Sequence, residues 1–292
     1  MKMSPITLTQ IAGAVMAATL LALPPLVATT AQAQEAPAAA ARADFQRYSK
    51  LVDVAFVKPY AVVPKVEGVT LVDSRPAVRK YDLGHIPTAV NIPDTQFDKL
   101  APALLPADKA QLVIFYCDGP TCVLSHNGAY KAEKLGYTNI RVYEAGFPDW
   151  IKNGNLHAVS VAHIKKLMDE KTPMVLFDAR PKDRMYDKGH IPGAISLPDS
   201  QFDKLAAERL PADKAAALFF YCEGLGCKLS NDSAEKAIKL GYTNVKVVPE
   251  GYPGWVKAYG AGPGAANAAA PKAPAIEAGK KSGLFLALPT SC

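Results

Sequence analysis

The sequence repeats itself at an offset of 105 residues. Gly84-His85-Ile86-Pro87 returns as Gly189-His190-Ile191-Pro192, and the two copies align without insertion or deletion from residue 73 to residue 150. Two copies at a period of about one hundred residues predict two tandem domains, because the repeats of solenoid proteins are far shorter. Other matched pairs are Asp73 and Asp178, Arg75 and Arg180, Cys117 and Cys222, Cys122 and Cys227, and Trp150 and Trp255.

Each copy alternates short apolar runs with an amphipathic segment. Such runs are typical of buried parallel strands, and the alternation predicts an α/β domain with a mainly parallel sheet flanked by helices. Cys117 and Cys222 directly follow one run each, so they fall at the carboxyl ends of strands, where folds of this class bind ligands. The predicted strands are 69–73, 112–116 and 139–143 in the first copy and 174–178, 217–221 and 244–248 in the second. The predicted helices are 124–135 and 229–240.

The first 33 residues have the order of an export signal. Lys2 precedes an apolar stretch over residues 11–27, and Ala31-Gln32-Ala33 is a small-x-small cleavage site. The stretch is short for a membrane span. We expect cleavage after Ala33 and a mature protein that is periplasmic or secreted and free of the membrane; an uncleaved anchor is the alternative.

The predicted domains follow from the repeat and from composition. After the signal peptide at 1–33 we expect a disordered lead-in at 34–44, a first domain at 45–157 and a second at 158–258. Residues 259–292 form a Gly/Ala/Pro-rich linker and a tail ending in Cys292, for which the sequence indicates no role.

Charge patterning argues against a nucleic-acid partner. The formal net charge is +6, but lysines alternate with acids, as in residues 131–134 and 235–239, instead of forming runs. Solvated helix faces have this pattern.

Three motifs together resemble the rhodanese superfamily of sulfurtransferases over residues 51–257. They are Val-Asp-x-Arg at the end of a strand, which becomes Phe-Asp-x-Arg in the second copy, and two motifs present in both copies: Tyr-Asp-x-Gly-His-Ile-Pro after the strand and a late Gly-x-Pro-x-Trp. The resemblance implies two tandem rhodanese-like domains. It also implies that the first cysteine of each loop, Cys117 and Cys222, forms a persulfide and passes its outer sulfur to a thiophilic acceptor.

The local chemistry of a cysteine between a strand and a helix agrees with that role. Inward-pointing backbone N–H groups and the positive end of the helix dipole both favour thiolate over thiol. Gly119 in the first loop, and Gly224 with Gly226 in the second, allow the backbone to curl.

The loops depart from the usual Cys-x-x-Gly-x-Arg pattern of sulfurtransferases. A second cysteine, Cys122 or Cys227, replaces the arginine, and an acid follows each leading cysteine. The acid would repel a dianion such as thiosulfate, and only the second loop has a nearby cation, Lys228. The remaining predicted loop residues are Asp118, Gly119, Pro120 and Thr121 in the first copy and Glu223, Gly224, Leu225 and Gly226 in the second.

The second thiols suggest resolving or redox chemistry. A thiol five residues from a persulfide can attack it, releasing sulfide and leaving an internal disulfide. In an oxidising compartment the pair can also rest as a disulfide. A zinc site is not favoured because the pairs are 105 residues apart, and a cysteine phosphatase is not favoured because its phosphate-binding arginine is replaced by Val123 and Lys228.

Other polar residues are assigned supporting roles. Asp73 with Arg75, and Asp178 with Arg180, are expected to be buried pairs that support the loops. His85 and His190 precede prolines and are interpreted as structural, while Ser125 and Ser230 are candidates to hydrogen-bond the loop backbone.

Three functions therefore stay open. The leading one is an exported sulfurtransferase or persulfide carrier, with a small sulfur donor and a thiol acceptor as partners. A dithiol–disulfide redox protein, partnered by another redox protein, and a noncatalytic binding module are the alternatives. No cofactor or metal is expected in any of them.

Overall fold

Apolar runs of four or five residues form the centres of two parallel sheets in the computed structural model, which describes residues 45–262. The predicted signal peptide 1–33 with its cleavage site, the lead-in 34–44 and the tail from residue 263 to Cys292 lie outside the described residues. Within residues 45–262 no helix has both the length and the apolar character needed to cross a bilayer.

The first domain contains five strands and four helices among the described residues. The strands are β1 (Leu51–Val52), β2 (Val69–Asp73), β3 (Val90–Asn91), β4 (Leu112–Tyr116) and β5 (Ile140–Tyr143). The helices are α1 (Val54–Val57), α2 (Phe97–Leu104), α3 (Leu124–Lys134) and α4 (Gly146–Lys152), with 3-10 turns at Lys58–Tyr60 and Asp94–Gln96 and a π-helical turn at Ala77–Tyr81.

The second domain repeats this order. Its strands are β6 (His157–Ala158), β7 (Val175–Asp178), β8 (Ile195–Ser196), β9 (Leu218–Tyr221) and β10 (Val245–Val248). Its helices are α5 (Val161–Asp169), α6 (Phe202–Arg209), α7 (Leu229–Lys239) and α8 (Gly251–Tyr259), with 3-10 turns at Tyr186–Lys188 and Asp199–Gln201.

Both sheets are parallel throughout and have the same topology. Their strand orders are β1-β5-β4-β2-β3 and β6-β10-β9-β7-β8, so β4 and β9, which lead into the cysteines, are central. The predicted fold class, two tandem α/β domains with helices flanking parallel sheets, is confirmed.

Helices cover both faces of each sheet because side chains alternate along the central strand. In β4, Val113 and Phe115 pack on one face with Phe97 of α2, whereas Ile114 and Tyr116 pack on the other. The second face is covered by α1 and α4, whose Val57 and Trp150 belong to the same buried cluster as Ile114 and Tyr116. Burying a side chain such as Phe115 contributes about 1.5–3 kcal/mol. Each central strand is thereby fixed, and with it the position of the cysteine that follows.

The junction between the domains is made by backbone hydrogen bonds. His85 N donates to Ala158 O at 2.8 Å and Ala158 N donates to His85 O at 2.9 Å, which joins the Gly-His-Ile-Pro segment of the first domain to β6. Because His157 already belongs to β6, the second sheet begins one residue before the predicted start of its domain.

Candidate active site

The two leading cysteines lie buried at the carboxyl ends of the central strands. Cys117 follows Tyr116 of β4 and is 0% exposed, and Cys222 follows Tyr221 of β9 and is 1% exposed. A tight turn closes each loop, with Cys122 N donating to Gly119 O at 2.9 Å. In the second loop, the amide of residue 227 donates to the carbonyl of residue 224 at 2.9 Å.

Glycines of the Gly-x-Pro-x-Trp motifs fix the carbonyls of the leading cysteines. Phe147 N donates to Cys117 O at 2.9 Å, and Gly146 before it has φ +64°. A Cβ atom on Gly146 would overlap Cys117 O and lie 2.9 Å from Gly119 N, so only glycine allows this approach. The second domain repeats the contact between Gly251 and the loop of Cys222.

Each leading thiol makes two polar contacts within its loop. Cys117 Sγ donates to Cys122 O at 3.2 Å and lies 3.1 Å from Ser125 Oγ. In the second domain the corresponding distances are 2.9 Å to Cys227 O and 3.3 Å to Ser230 Oγ. The serines, in the first turns of α3 and α7, therefore contact the thiols themselves instead of the loop backbone that the sequence suggested.

The expectation that the leading cysteines favour thiolate is wrong for the dithiol form. Burial, with hydrogen bonding to Cys122, raises the pKa of Cys117 well above its ordinary value. Hydrogen bonding to Cys227, with burial, likewise raises the pKa of Cys222. Desolvation disfavours the charged sulfur more than the loop and Ser125 stabilise it. The four cysteines of the described residues are in thiol form, outside any disulfide.

Cys227 is shifted in the opposite direction. The hydrogen bond from Cys222 lowers its pKa to about 6, and the backbone N–H groups of Glu223 and Leu229 act in the same sense. Thus the first proton lost from the second loop comes from its second cysteine.

Buried arginines connect the ends of β2 and β7 to the cysteine loops. Arg75 Nε donates to both oxygens of Asp73 at 2.9 and 3.1 Å, its Nη2 donates to Gly84 O at 2.7 Å, and its guanidinium lies 4.4 Å from the Phe147 ring centroid. Burial alone would lower the pKa of Arg75, but the ion pair with Asp73 outweighs it, so that pKa is raised. Arg180 makes the same contacts with Asp178, Gly189 and Tyr252. The predicted buried pairs are present.

The same arginines neutralise the acids that follow the leading cysteines. Arg75 Nη1 lies 3.2 Å from Asp118 and Arg180 Nη1 lies 2.8 Å from Glu223. Lys80, in the π-helical turn, is also 2.8 Å from Asp118. Lys80 was not predicted from the sequence, because the repeat does not preserve it: position 185 of the second copy is a methionine. The repulsion of anions expected from these acids is therefore offset.

Lys228 does not serve the second loop as predicted. Its Nζ forms an ion pair with Asp232 at 2.8 Å, one turn along α7, and its side chain is 60% exposed. The cations that contact the loop acids are therefore Arg75 and Lys80 in the first domain and Arg180 in the second. Lys228, the cation expected from the sequence, is not among them.

The histidines of the Gly-His-Ile-Pro segments support backbone. His85 Nδ1 lies 2.9 Å from Tyr81 O, its ring stacks on Tyr81 at 3.8 Å, and burial lowers its pKa to about 3. His190 and Tyr186 repeat the arrangement at 3.0 and 3.9 Å. Both contacts fit the structural interpretation. No group of three or more His, Cys, Asp or Glu side chains in residues 45–262 is arranged to hold a metal ion.

A family model described as Rhodanese-like domain matches the chain twice, at residues 63–153 and 160–258. Among solved structures, a thiosulfate sulfurtransferase from Pseudomonas aeruginosa is 20% identical with a TM-score of 0.32, over 72% of this chain and 42% of that one. This chain therefore spans about four tenths of that protein.

Two further solved structures resemble the chain. The 3-mercaptopyruvate sulfotransferase SseA from Escherichia coli is 17% identical with a TM-score of 0.32, over 69% of this chain and 98% of that one. A protein from Bacillus halodurans is 26% identical with a TM-score of 0.35, over 40% and 82%. Comparison with curated proteins gave no match.

Proposed function

The chain belongs to the rhodanese-like domain family, and on that premise we propose that it transfers sulfur by forming persulfides on Cys117 and Cys222. The observation that supports this is a buried thiol at the end of the central strand of each domain, hydrogen-bonded within a loop that holds a second thiol. We further propose that Cys122 and Cys227 resolve the persulfides.

Loading is a displacement at the outer sulfur of a donor. The cysteine thiolate attacks that sulfur, the donor S–S bond breaks, and the donor leaves with its electron pair as a thiolate or sulfite. In the first domain the Ser125 hydroxyl, 3.1 Å from Cys117 Sγ, is placed to donate to the thiolate as it forms. The contact between Gly146 and the Cys117 carbonyl keeps the loop in position for the reaction.

Resolution uses the second thiol of the same loop. Cys122 attacks the inner sulfur of the Cys117 persulfide, a Cys117–Cys122 disulfide forms, and the outer sulfur leaves as hydrosulfide. Two cysteine sulfurs are oxidised and the sulfane sulfur is reduced, so an external dithiol protein is needed to restore the loop. A thiol acceptor that takes the outer sulfur directly avoids this step.

We propose a small organic persulfide as the donor class in preference to thiosulfate. Family members that use Cys-x-x-Gly-x-Arg have an arginine where this chain has Cys122 and Cys227. The cations beside the loops, Arg75 and Arg180, are already paired with carboxylates. A dianion therefore gains little attraction at either thiol.

Mass spectrometry tests the proposal after incubating the full chain with glutathione persulfide. One added sulfur atom is expected on Cys117 and on Cys222, and Cys117→Ser should abolish loading of the first loop. Cys292→Ser is the matched control that leaves both loops intact. Absence of sulfur on both loops of the unmodified chain would refute the proposal.

A dithiol–disulfide redox function is the second candidate, favoured by the hydrogen-bonded thiol pair in each loop. It predicts Cys117–Cys122 and Cys222–Cys227 disulfides after mild oxidation, with a reversible potential and no persulfide on any donor tested. Persulfide formation at rates above those of free cysteine would exclude it as the main activity.

We also propose that this chemistry takes place outside the cytoplasm, on the strength of the signal-like residues 1–33. N-terminal sequencing of protein from the periplasmic fraction should begin at Gln34. An intact Met1 in that fraction would contradict cleavage after Ala33.

A further inference from the structure

The two loops differ in how far they open to solvent. Cys122 is 1% exposed, whereas Cys227, at the matching position, is half-buried. Gly119 is buried while Gly224 is half-buried, and Leu225 at the tip of the second loop is 42% exposed. Two loops of equal length thus present their second thiols differently.

Residues 45–48, here called the N-terminal strap, lie against the first loop. Arg47 Nη2 lies 3.5 Å from Pro120 O, and Arg47 Nη1 forms a 2.7 Å ion pair with Glu144. The strap therefore connects the tip of the loop to the residue that follows β5.

His126 extends this contact to the second thiol. Tyr48 N donates to His126 Nδ1 at 3.0 Å, the Phe45 ring lies 5.2 Å from the imidazole, and His126 is close enough for the charge of Cys122 to affect its pKa. The matching residue of the second domain is Asn231, which instead lines a cavity of about 230 Å³. The cover of the first loop thus depends on residues that the second copy does not repeat.

We propose that in the second domain Cys227 is the nucleophile that first takes sulfur from an external persulfide and passes it to the buried Cys222. This inference rests on the proposed function and assigns the entry step of one site. Cys227 combines solvent access with hydrogen bonds that stabilise its thiolate, from Cys222 and from the N–H groups of Glu223 and Leu229. The carboxylate of Glu223, 43% exposed, is the charged group that opposes this by raising the pKa of Cys227.

The transfer consists of two balanced displacements. Cys227 thiolate attacks the outer sulfur of the donor, giving a Cys227 persulfide and the donor thiolate. Cys222 then attacks the same outer sulfur, the Cys227 S–S bond breaks, and the proton of Cys222 passes to the departing Cys227 sulfur. No net oxidation occurs, since one sulfane sulfur moves between two thiols.

The direction of transfer follows from access, since Cys227 is half-buried and Cys222 is 1% exposed, and the directions of the two thiol pKa shifts support it. A thiol of low pKa is the better leaving group, and one of high pKa is the stronger nucleophile once ionised. Cys227 therefore releases sulfur readily and Cys222 retains it. After transfer Cys227 is again free to resolve the Cys222 persulfide.

The experiment uses the full chain with Cys117→Ser, Cys122→Ser and Cys292→Ser, so that only the second loop reports. Into this background Cys222→Ser or Cys227→Ser is introduced, and sulfur gain from glutathione persulfide is followed by site-resolved mass spectrometry. The expected result is that Cys222→Ser still loads Cys227, whereas Cys227→Ser slows loading of Cys222 at least tenfold. Near-ultraviolet circular dichroism checks that both variants keep the native fold.

Any other pattern overturns the inference. If Cys222 loads at an unchanged rate in Cys227→Ser, or if Cys227 takes no sulfur in Cys222→Ser, Cys227 is not the entry thiol. Neither result affects the proposed function, which fails if neither loop of the unmodified chain takes sulfur.

The strap provides an independent arm of the test. Arg47→Ala should increase the rate at which iodoacetamide labels Cys122 by several-fold and leave Cys227 unchanged. Before this change, Cys227 should be labelled at least tenfold faster than Cys122. Equal labelling of the two cysteines in the unmodified chain would contradict the difference in access.

Discussion

Replacing Gly146 with alanine tests whether the cysteine loop depends on close backbone contact. Gly146 has φ +64°, and a Cβ atom there would overlap Cys117 O. Gly154 is the matched control, because it has φ +67° but no atom within 4 Å of an added Cβ. Both substitutions strain the backbone equally, and only one pushes against the active-site loop.

The magnitudes separate the two effects. A left-handed conformation costs an alanine about 1–2 kcal/mol relative to glycine. Forcing an extra methyl group into a packed site costs about 1–3 kcal/mol more. Gly146→Ala should therefore reduce the free energy of unfolding by about 2–5 kcal/mol, and Gly154→Ala by about 1–2 kcal/mol.

Tryptophan fluorescence during urea unfolding measures this domain alone. The chain has two tryptophans, one in each domain, so a Trp255→Phe background leaves Trp150, 3% exposed, as the reporter. If Gly146→Ala costs no more than Gly154→Ala within about 0.5 kcal/mol, the glycine is not required by the Cys117 carbonyl and the reasoning is wrong.

Three further predictions concern the residues around the loops. Arg180→Met leaves the buried Asp178 unpaired and should destabilise the second domain by about 3–5 kcal/mol in urea unfolding; adding Asp178→Leu should regain part of that loss, and full tolerance of Arg180→Met would contradict the role of this ion pair. Because burial lowers the pKa of His85 to about 3, the unfolded chain binds this proton first as pH falls. The His85 contribution to the stability of the first domain should drop by about 1.4 kcal/mol per pH unit from 6.5 downward, and His85→Asn should reduce the measured slope by that amount. Ser125→Ala removes a hydrogen bond that lowers the pKa of Cys117 and should slow its alkylation about tenfold without affecting the second loop; an unchanged rate would refute that contact.

The sheets were predictable because their signals are local. Strands 69–73 and 112–116 were predicted with the bounds that the structure shows, and the other four predicted strands begin one residue later in the structure. The two-residue strands β1, β3, β6 and β8 were not predicted. Strands that are buried on both faces of a parallel sheet are nearly continuous apolar runs, which can be recognised in the sequence. The helix after Cys117 was predicted at 124–135 and ends one residue earlier, at Lys134, with Gly136 at φ +90° just beyond it.

The chemistry of the loops was predictable only in part. The sequence placed two thiols in each loop and paired Asp73 with Arg75, since these residues are close along the chain. It missed Lys80 and misassigned Lys228, because an ion pair depends on which side chains meet after folding.

What the sequence by itself determined is the repeat, the two parallel sheets and the position of a cysteine pair at each central strand. Tertiary structure decided which thiol of a pair loses its proton first and which one solvent can reach. Proton affinity depends on burial and on donors from the whole loop, and the first loop is contacted by Arg47, 73 residues before Pro120. The Cys-x4-Cys spacing is the same in both copies, so it predicts neither the proton affinity nor the solvent access of a thiol. Both depend on burial, which results from segments that meet only in the folded chain.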